Sequence, residues 1–523
     1  MKQDRRDYLW IGALVVFAMV LRFLTNRNYG FHRDEFLYIS QGQHLDWGYW
    51  SNPPGPGFFS WLTQWMIGDS IFAIRFFPGL VGGLTILLVC MMAREMGGGR
   101  FAQMLAGLSI MFSNAMPRVF LMYNPVPFDV FYWTLFAFLL VKYLSSEQRK
   151  YILWLGVTIG LGVLNKYSIV FLIIPASVAL IFSAHRHLLR SKELYIAAVI
   201  TTLIILPNLL WQWKYDFPVI GHMSELRSTQ LVNVRIIDFL KDQLLFNSSV
   251  LLIWLAGLWY LFFTKNGRRF RPVGITFGGI ILLLMVLKGK SYYTLGAYPM
   301  LLAAGACLWE QWTIGNKWLR IIPIIVTILV FRYTLPFSVP YLSLDRMVTF
   351  GKEMVDNGLD GMVRWEDGQV HELPQDYADM LGWKEMADLV VEAVHTLDDP
   401  SKCLIYCQNF GQAGAVAYYG GKQGIPMPVS FADAYLLWVP EQIDPSVQDF
   451  IYVNDEMGED VQDLFRKITV IGQVDNPYAR EEGTTVYLCQ DPTASLKDFW
   501  SSRVVEVKTA LGLPLNEKPL TAN

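Results

Sequence analysis

Residues 31–57 read FHRDEFLYISQGQHLDWGYWSNPPGPG and follow an apolar run. They place Asp34 beside Glu35, with His32, Arg33, His44 and Asp46 close by and Pro53-Pro54 at the exit. Carboxylates at a membrane surface are costly to desolvate, so their presence there points to a task. Consecutive residues on a helix point about 100° apart, so the pair is not expected to share one proton. Two separate roles suit it better, one carboxylate facing a reaction centre and the other a second ligand or a cation. A carboxylate in the first role can take a proton from an incoming nucleophile. A structural reading competes with this: an acidic pair in the first turn before FLYIS complements the helix dipole. As a third reading, His32, Asp34, Glu35, His44 and Asp46 offer oxygen and nitrogen donors to a divalent cation, although their spacing follows no established metal motif.

Basic residues form the second chemical group. Arg118, Lys166, Arg227, Lys288 and Lys290 lie at the ends of apolar segments in four different loops. Any one of them could simply reach toward lipid headgroups. Together, on the same side as a carboxylate pair, they suggest a pocket for an anion, and a lipid phosphate is the obvious anion at that depth. Lys and Arg there would stabilise the charge that grows on the phosphate as a bond to it breaks. Asp129 follows NPVP at the opening of another apolar segment, where burying an unpaired carboxylate is expensive, and it joins the candidates. Trp47, Tyr49, Trp50, Phe58, Phe59 and Trp61 fit an interfacial aromatic belt, and one or two of them could stack on a sugar ring.

The elements that position these residues are mostly apolar. Of the 523 residues 53% are hydrophobic and only 17% charged, against about a quarter charged in soluble domains. A net charge of -2 gives no sign of a nucleic-acid partner. Eleven segments are apolar enough to be candidate spans: roughly 8–25, 71–93, 101–116, 126–144, 151–165, 168–184, 194–213, 248–264, 272–288, 291–309 and 318–336. The first resembles a signal peptide but lacks a small-x-small cleavage site, and it reads as an uncleaved span. With Lys2, Arg5 and Arg6 inside, alternate loops such as SAHRHLLRSKE and TKNGRRFRP carry the Lys/Arg excess expected of inward loops. The loops with chemical character then all face outward, as does the C-terminal tail.

From about Tyr341 the composition turns polar, so the chain is expected to comprise a transmembrane domain at 1–340 and an extracytoplasmic α/β domain at 341–523. WKEMADLVVEAVHTL has helical spacing, while CLIYC, DFIYVN, KITVIGQV and TTVYLCQD read as buried strands. NFGQAGAVAYYGG could form an anion-binding turn. Of the five cysteines, Cys90 and Cys307 lie in apolar runs; Cys403, Cys407 and Cys489 lie in the tail as buried thiols, with one disulfide among them as the alternative.

HRDEFLYISQGQHLDWGYWSNPPG, NPVPFDVFYWTL, LNKYS and KGKSYYTLGAYPMLLAAGA resemble glycosyltransferase family 39. That family covers the dolichyl-phosphate-mannose protein mannosyltransferases and bacterial relatives, including the aminoarabinose transferases that modify lipid A. LPQDYADMLGWKEM and NFGQAGAVAYYG resemble the soluble tail of a bacterial subgroup. The resemblance implies an α-helical polytopic membrane fold of the GT-C type with about 11 transmembrane helices. It implies a polyprenyl-phosphate sugar donor and inversion at the anomeric carbon in one displacement. Asp34 is then the general base and Glu35 positions the acceptor or the loop. Arg33, Arg118, Lys166, Arg227, Lys288, Lys290, Tyr292, Asn52 and Asp129 are the substrate-binding candidates. Some relatives carry basic residues where this chain has Asn52 and Leu37, so phosphate binding is expected from Lys166, Lys288, Lys290 or Arg33. The resulting expectation is a glycosyltransferase of the bacterial inner membrane, acting on an unidentified acceptor and in contact with membrane lipids. The rival expectations are a transporter or flippase of a lipid-linked saccharide, disfavoured by the one-sided charges and the lack of a repeat, and a non-catalytic assembly protein that works through its tail.

Overall fold

A computed structural model describes residues 5–25 and 28–515; Lys2 and the last residues of the tail lie outside the described residues. All eleven apolar segments are helical. Five helices among the described residues are long and apolar enough to cross a membrane: Ile71–Glu95, Pro125–Ser146, Lys192–Lys214, Arg268–Val286 and Lys317–Ser338. A sixth span arises if Ile236–Leu245 and Ser248–Phe263, bent by 60°, count as one. The chain is therefore a multi-pass membrane protein. The other candidate segments form shorter helices in the structure. Helix 150–165 stops at Lys166, whose backbone turns extended, and the expected span 291–309 opens with seven residues of 3₁₀ helix before Tyr298–Trp312. Local backbone turns of this kind shorten a helix without changing its apolar composition.

By internal contacts the chain forms two compact units. The first takes in residues 1–27, 72–209 and 224–341. Helix packing in it uses glycine. A methyl group on Gly305 would lie 1.8 Å from the Ile253 carbonyl oxygen, and one on Gly257 would lie 2.1 Å from that of Leu301. Helices Leu251–Phe263 and Tyr298–Trp312 thus meet backbone to backbone, as small residues permit.

The second unit takes in residues 28–71, 210–223 and 342–523. Its last segment begins at Leu342, next to the expected boundary, and builds a four-stranded sheet. The strands are β1 (Cys403–Cys407), β2 (Asp449–Asn454), β3 (Phe465–Gln473) and β4 (Thr485–Pro492), in the order β1-β2-β4-β3. β1 and β2 are parallel; the other pairings are antiparallel. All four expected strands are present, as is helix Trp383–His395, which buries Met386, Val390, Ala393 and Val394. All five cysteines are free and buried, so the tail carries no disulfide.

The glycine-containing turn departs from expectation. It forms helix Phe410–Ala415 running into a π-helical turn, Val416–Gly420. The side chains of Asn409 and Gln412 cap the first turn reciprocally. The Glu481 carboxylate accepts from Gln412 Nε2 at 2.7 Å. Donors already used, beside a buried carboxylate, make a poor anion site.

Candidate active site

The Asp-Glu pair is built by a helix start. His32 is the N-cap of helix Arg33–Gln43. The His32 N–H donates to Glu35 Oε2 at 2.8 Å, and the Asp34 N–H donates to His32 Nδ1 at 3.2 Å, forming a capping box. The two carboxylates therefore part company. Glu35 is 1% exposed and serves the cap with its side chain. Asp34 is half-buried and serves it only through its backbone, leaving the carboxylate for other work. The structural reading therefore holds for Glu35, while the Asp34 side chain takes no part in the cap.

Because His32 Nδ1 accepts a hydrogen bond, a neutral His32 carries its proton on Nε2. Nε2 faces Asp379 Oδ2 at 3.6 Å and Asp376 Oδ1 at 3.9 Å. Asp379 is buried at 3% and pairs with Arg480 at 3.3 Å, while its backbone oxygen accepts the Arg33 N–H at 2.9 Å. Burial pushes the Asp379 carboxyl above the ordinary carboxylate range; His32 and Arg480 oppose this, and Asp34 adds to it. The Arg33 guanidinium lies over the Phe410 ring at 4.6 Å.

Asn52 is a scaffold residue. Its Nδ2 donates to Gln41 Oε1 and to the Pro53 carbonyl, and its Oδ1 accepts from Gln41 Nε2 and Ser51 Oγ. Both of its amide hydrogens are committed within the loop. His44 stacks on Trp438 at 4.3 Å, and Asp46 accepts the Trp47 N–H. Among the described residues no three His, Cys, Asp or Glu side chains converge as a metal site, so the five possible donors of this loop do not fit a cation.

A second cluster lies wholly within the first unit. Asn124 caps helix Pro125–Ser146 and sets Asp129 in its second turn. Asp129 is buried; Oδ1 accepts from Trp133 Nε1 at 3.0 Å and Oδ2 from Ser168 Oγ at 2.9 Å. Lys166 follows the end of helix Lys150–Asn165, where its N–H caps the Gly162 carbonyl. Its ammonium lies 5.2 Å from the Tyr292 ring and 4.9 Å from the Tyr293 ring, and its charge acts on Asp129. Asp129, Lys166 and Tyr292 are thus brought together as a cation on an aromatic platform beside a hydrogen-bonded carboxylate. Arg118 is buried in the short helix Met116–Val119 and Lys290 is half-buried at the start of the 3₁₀ turn. Arg227 and Lys288 are exposed.

Sequence reasoning missed Asp376, Asp379, Arg480 and Asp433 around the Asp34 helix, and Ser168 and Tyr293 around Asp129. The missed residues of the second unit come from the tail, more than three hundred positions away. For Asp376 and Asp379 the one signal was LPQDYADMLGWKEM, quoted for its resemblance and not for its carboxylates; Asp433 and Arg480 had none.

The profile of the family described as dolichyl-phosphate-mannose-protein mannosyltransferase matches residues 51–211. The family resemblance holds. Two curated relatives come from Rhizobium johnstonii. A lipid A galacturonosyltransferase, RgtD, is 24% identical over 270 residues, 49% of this chain and 55% of the relative. A lipopolysaccharide core galacturonosyltransferase, RgtB, is 28% identical over 223 residues, 40% of this chain and 43% of the relative. The chain spans about half the length of the curated relatives it matches. Among solved structures, ArnT from Cupriavidus metallidurans bound to undecaprenyl phosphate aligns with a TM-score of 0.63 at 13% identity, covering 92% of this chain and 98% of that one. Its apo form aligns with a TM-score of 0.60. The chain shares the ArnT fold.

Proposed function

We propose that this protein is an integral-membrane, inverting glycosyltransferase that moves a sugar from a polyprenyl-phosphate donor to an acceptor hydroxyl, with Asp34 as general base. The observation that carries the reading is the split of the acidic pair: Glu35 is buried in the capping box while the Asp34 carboxylate is left out of it. Asp34 takes the acceptor proton as the acceptor oxygen bonds to the anomeric carbon. The bond from that carbon to the phosphate oxygen breaks, and the polyprenyl phosphate leaves with the electron pair. A basic residue holds the phosphate and stabilises its growing charge. The relatives that transfer galacturonic acid to lipid A and to the lipopolysaccharide core make those the first donor sugar and acceptors to try. The finer architecture proposed is the GT-C type with about eleven membrane crossings, some by short or bent helices. It sits in the bacterial inner membrane with Asp34 and the α/β tail on the extracytoplasmic side.

The test is release of free undecaprenyl phosphate from a panel of undecaprenyl-phosphate sugars by the purified protein and its Asp34→Asn variant, with cell-envelope extract as acceptor. Wild type releases it with one sugar, and Asp34→Asn is slower by about 100-fold or more at unchanged folding. Equal release by both removes Asp34 from its role. Movement of intact lipid-linked sugar across vesicles without release supports the transporter instead.

A further inference from the structure

Asp433 opens the 3₁₀ turn Asp433–Leu437 in the tail. Its φ of 50° lies in the left-handed region. Outside glycine such a conformation is sparsely populated, and it persists where the surrounding structure over-determines it. The surroundings do so here. Tyr435 Oη shares a hydrogen bond with Ser40 Oγ at 2.8 Å, and Trp438 stacks on His44. Both partners belong to helix Arg33–Gln43 or to its C-cap, so the turn is fastened along that helix. The Ser51 hydroxyl lies beside the Asp433 carboxylate, and the charges of His222 and Asp34 act on it. Its Oδ1 is enclosed and has no hydrogen-bond partner.

An enclosed carboxylate oxygen without a donor is expensive, and what completes it must bring a hydrogen. No three-donor metal site exists among the described residues. A phosphate dianion brings no hydrogen and meets the charges of Asp34 and Asp379. A hydroxyl-bearing ligand meets the need. Resting on the transferase reading, we propose that Asp433 accepts a hydrogen bond from a second hydroxyl of the acceptor sugar. It thereby positions the attacking hydroxyl at Asp34 and restricts the acceptor site to neutral polyhydroxyl groups.

The experiment measures KM for donor and acceptor separately in wild type, Asp433→Gly and Asp433→Asn. The donor is the undecaprenyl-phosphate sugar that wild type uses. The acceptors are a lipid-linked glucosamine disaccharide with free hydroxyls and the same disaccharide with its reacting hydroxyl phosphorylated. Glycine accepts the left-handed backbone without strain, so Asp433→Gly removes the carboxylate while keeping the turn. We expect transfer to the hydroxyl acceptor only. In Asp433→Gly its KM rises about tenfold, in Asp433→Asn less, with donor KM unchanged and Tm not lowered. The proposal is overturned by an acceptor KM that stays within about twofold in both variants, by preference for the phosphorylated acceptor, or by donor and acceptor KM rising together as Tm falls. Inactivity of wild type with every donor counts against the transferase reading itself. An active wild type with indifferent variants counts against Asp433 alone.

Discussion

Two adjacent carboxylates end in different environments because a helix start separates them. Glu35 faces inward to the His32 N–H, whereas Asp34 contributes only its N–H to the cap. Glu35→Ala should therefore lower stability by about 1 kcal/mol or more, seen as a lower Tm, while Glu35→Gln, which still accepts, should cost less. Asp34→Asn should leave Tm unchanged. Asp433 makes a pH prediction. Burial, with the charge of Asp34 added, pushes its carboxyl above the ordinary range against the pull of Ser51 and His222. The native state then holds the proton to higher pH than the unfolded chain does. Stability contributed by this group falls as pH rises from the ordinary carboxylate range through the raised value. Thermal melts from about pH 7 to about pH 4 should show a gain on acidification in wild type that Asp433→Asn lacks. Asp34, Glu35, Asp129, Lys166 and Tyr292 were legible because residue type and local sequence mark them. Asp379 and Asp433 were not: nothing local distinguishes a carboxylate that will pack beside a distant helix from one left in water.

At the scale of elements, periodicity and alternation revealed the helices and all four strands. They revealed lengths less well. The break at Lys166 and the 3₁₀ run at 291–297 leave the apolar composition untouched, so a window of hydrophobicity passes over them. The glycines of NFGQAGAVAYYGG suggested a cradle for an anion, but three of them serve contacts. A methyl group on Gly414 would sit 2.5 Å from the Phe36 side chain, one on Gly411 would sit 2.6 Å from that of Arg33, and one on Gly420 would sit 2.4 Å from that of Ile425. Close approach also decides the pairing of helices Leu251–Phe263 and Tyr298–Trp312. Gly305→Leu should force them apart at a cost of about 3 kcal/mol or more, read as loss of the folded, monodisperse protein in detergent. Thr276→Ala, a buried hydroxyl bonded within its own helix to the Pro272 carbonyl, provides a mild control.

For the whole molecule, the proposed orientation can be read by labelling. The five native thiols are buried, and burial pushes those of Cys403 and Cys489 up to about 12, so little background thiolate is present. Gln462→Cys, exposed in the tail, should react with a membrane-impermeant maleimide on intact spheroplasts. Gln148→Cys, exposed in the loop KYLSSEQRKY, should react only after lysis. The reverse pattern would place the tail and Asp34 in the cytoplasm and end the extracytoplasmic reading.

The second unit draws on three stretches of chain separated by long insertions of the first. During synthesis residues 28–71 emerge early, yet the segment that packs around them begins only at Leu342. At about 5–20 residues per second the ribosome needs roughly 15–50 seconds to cover that gap. For that interval the helix carrying Asp34 is made but its surroundings are not. Completion of this environment is thereby tied to completion of the chain. A nascent chain or a truncation product ending before Leu342 lacks Asp379 and Asp433, so only a finished molecule surrounds the helix of Asp34 as the structure shows.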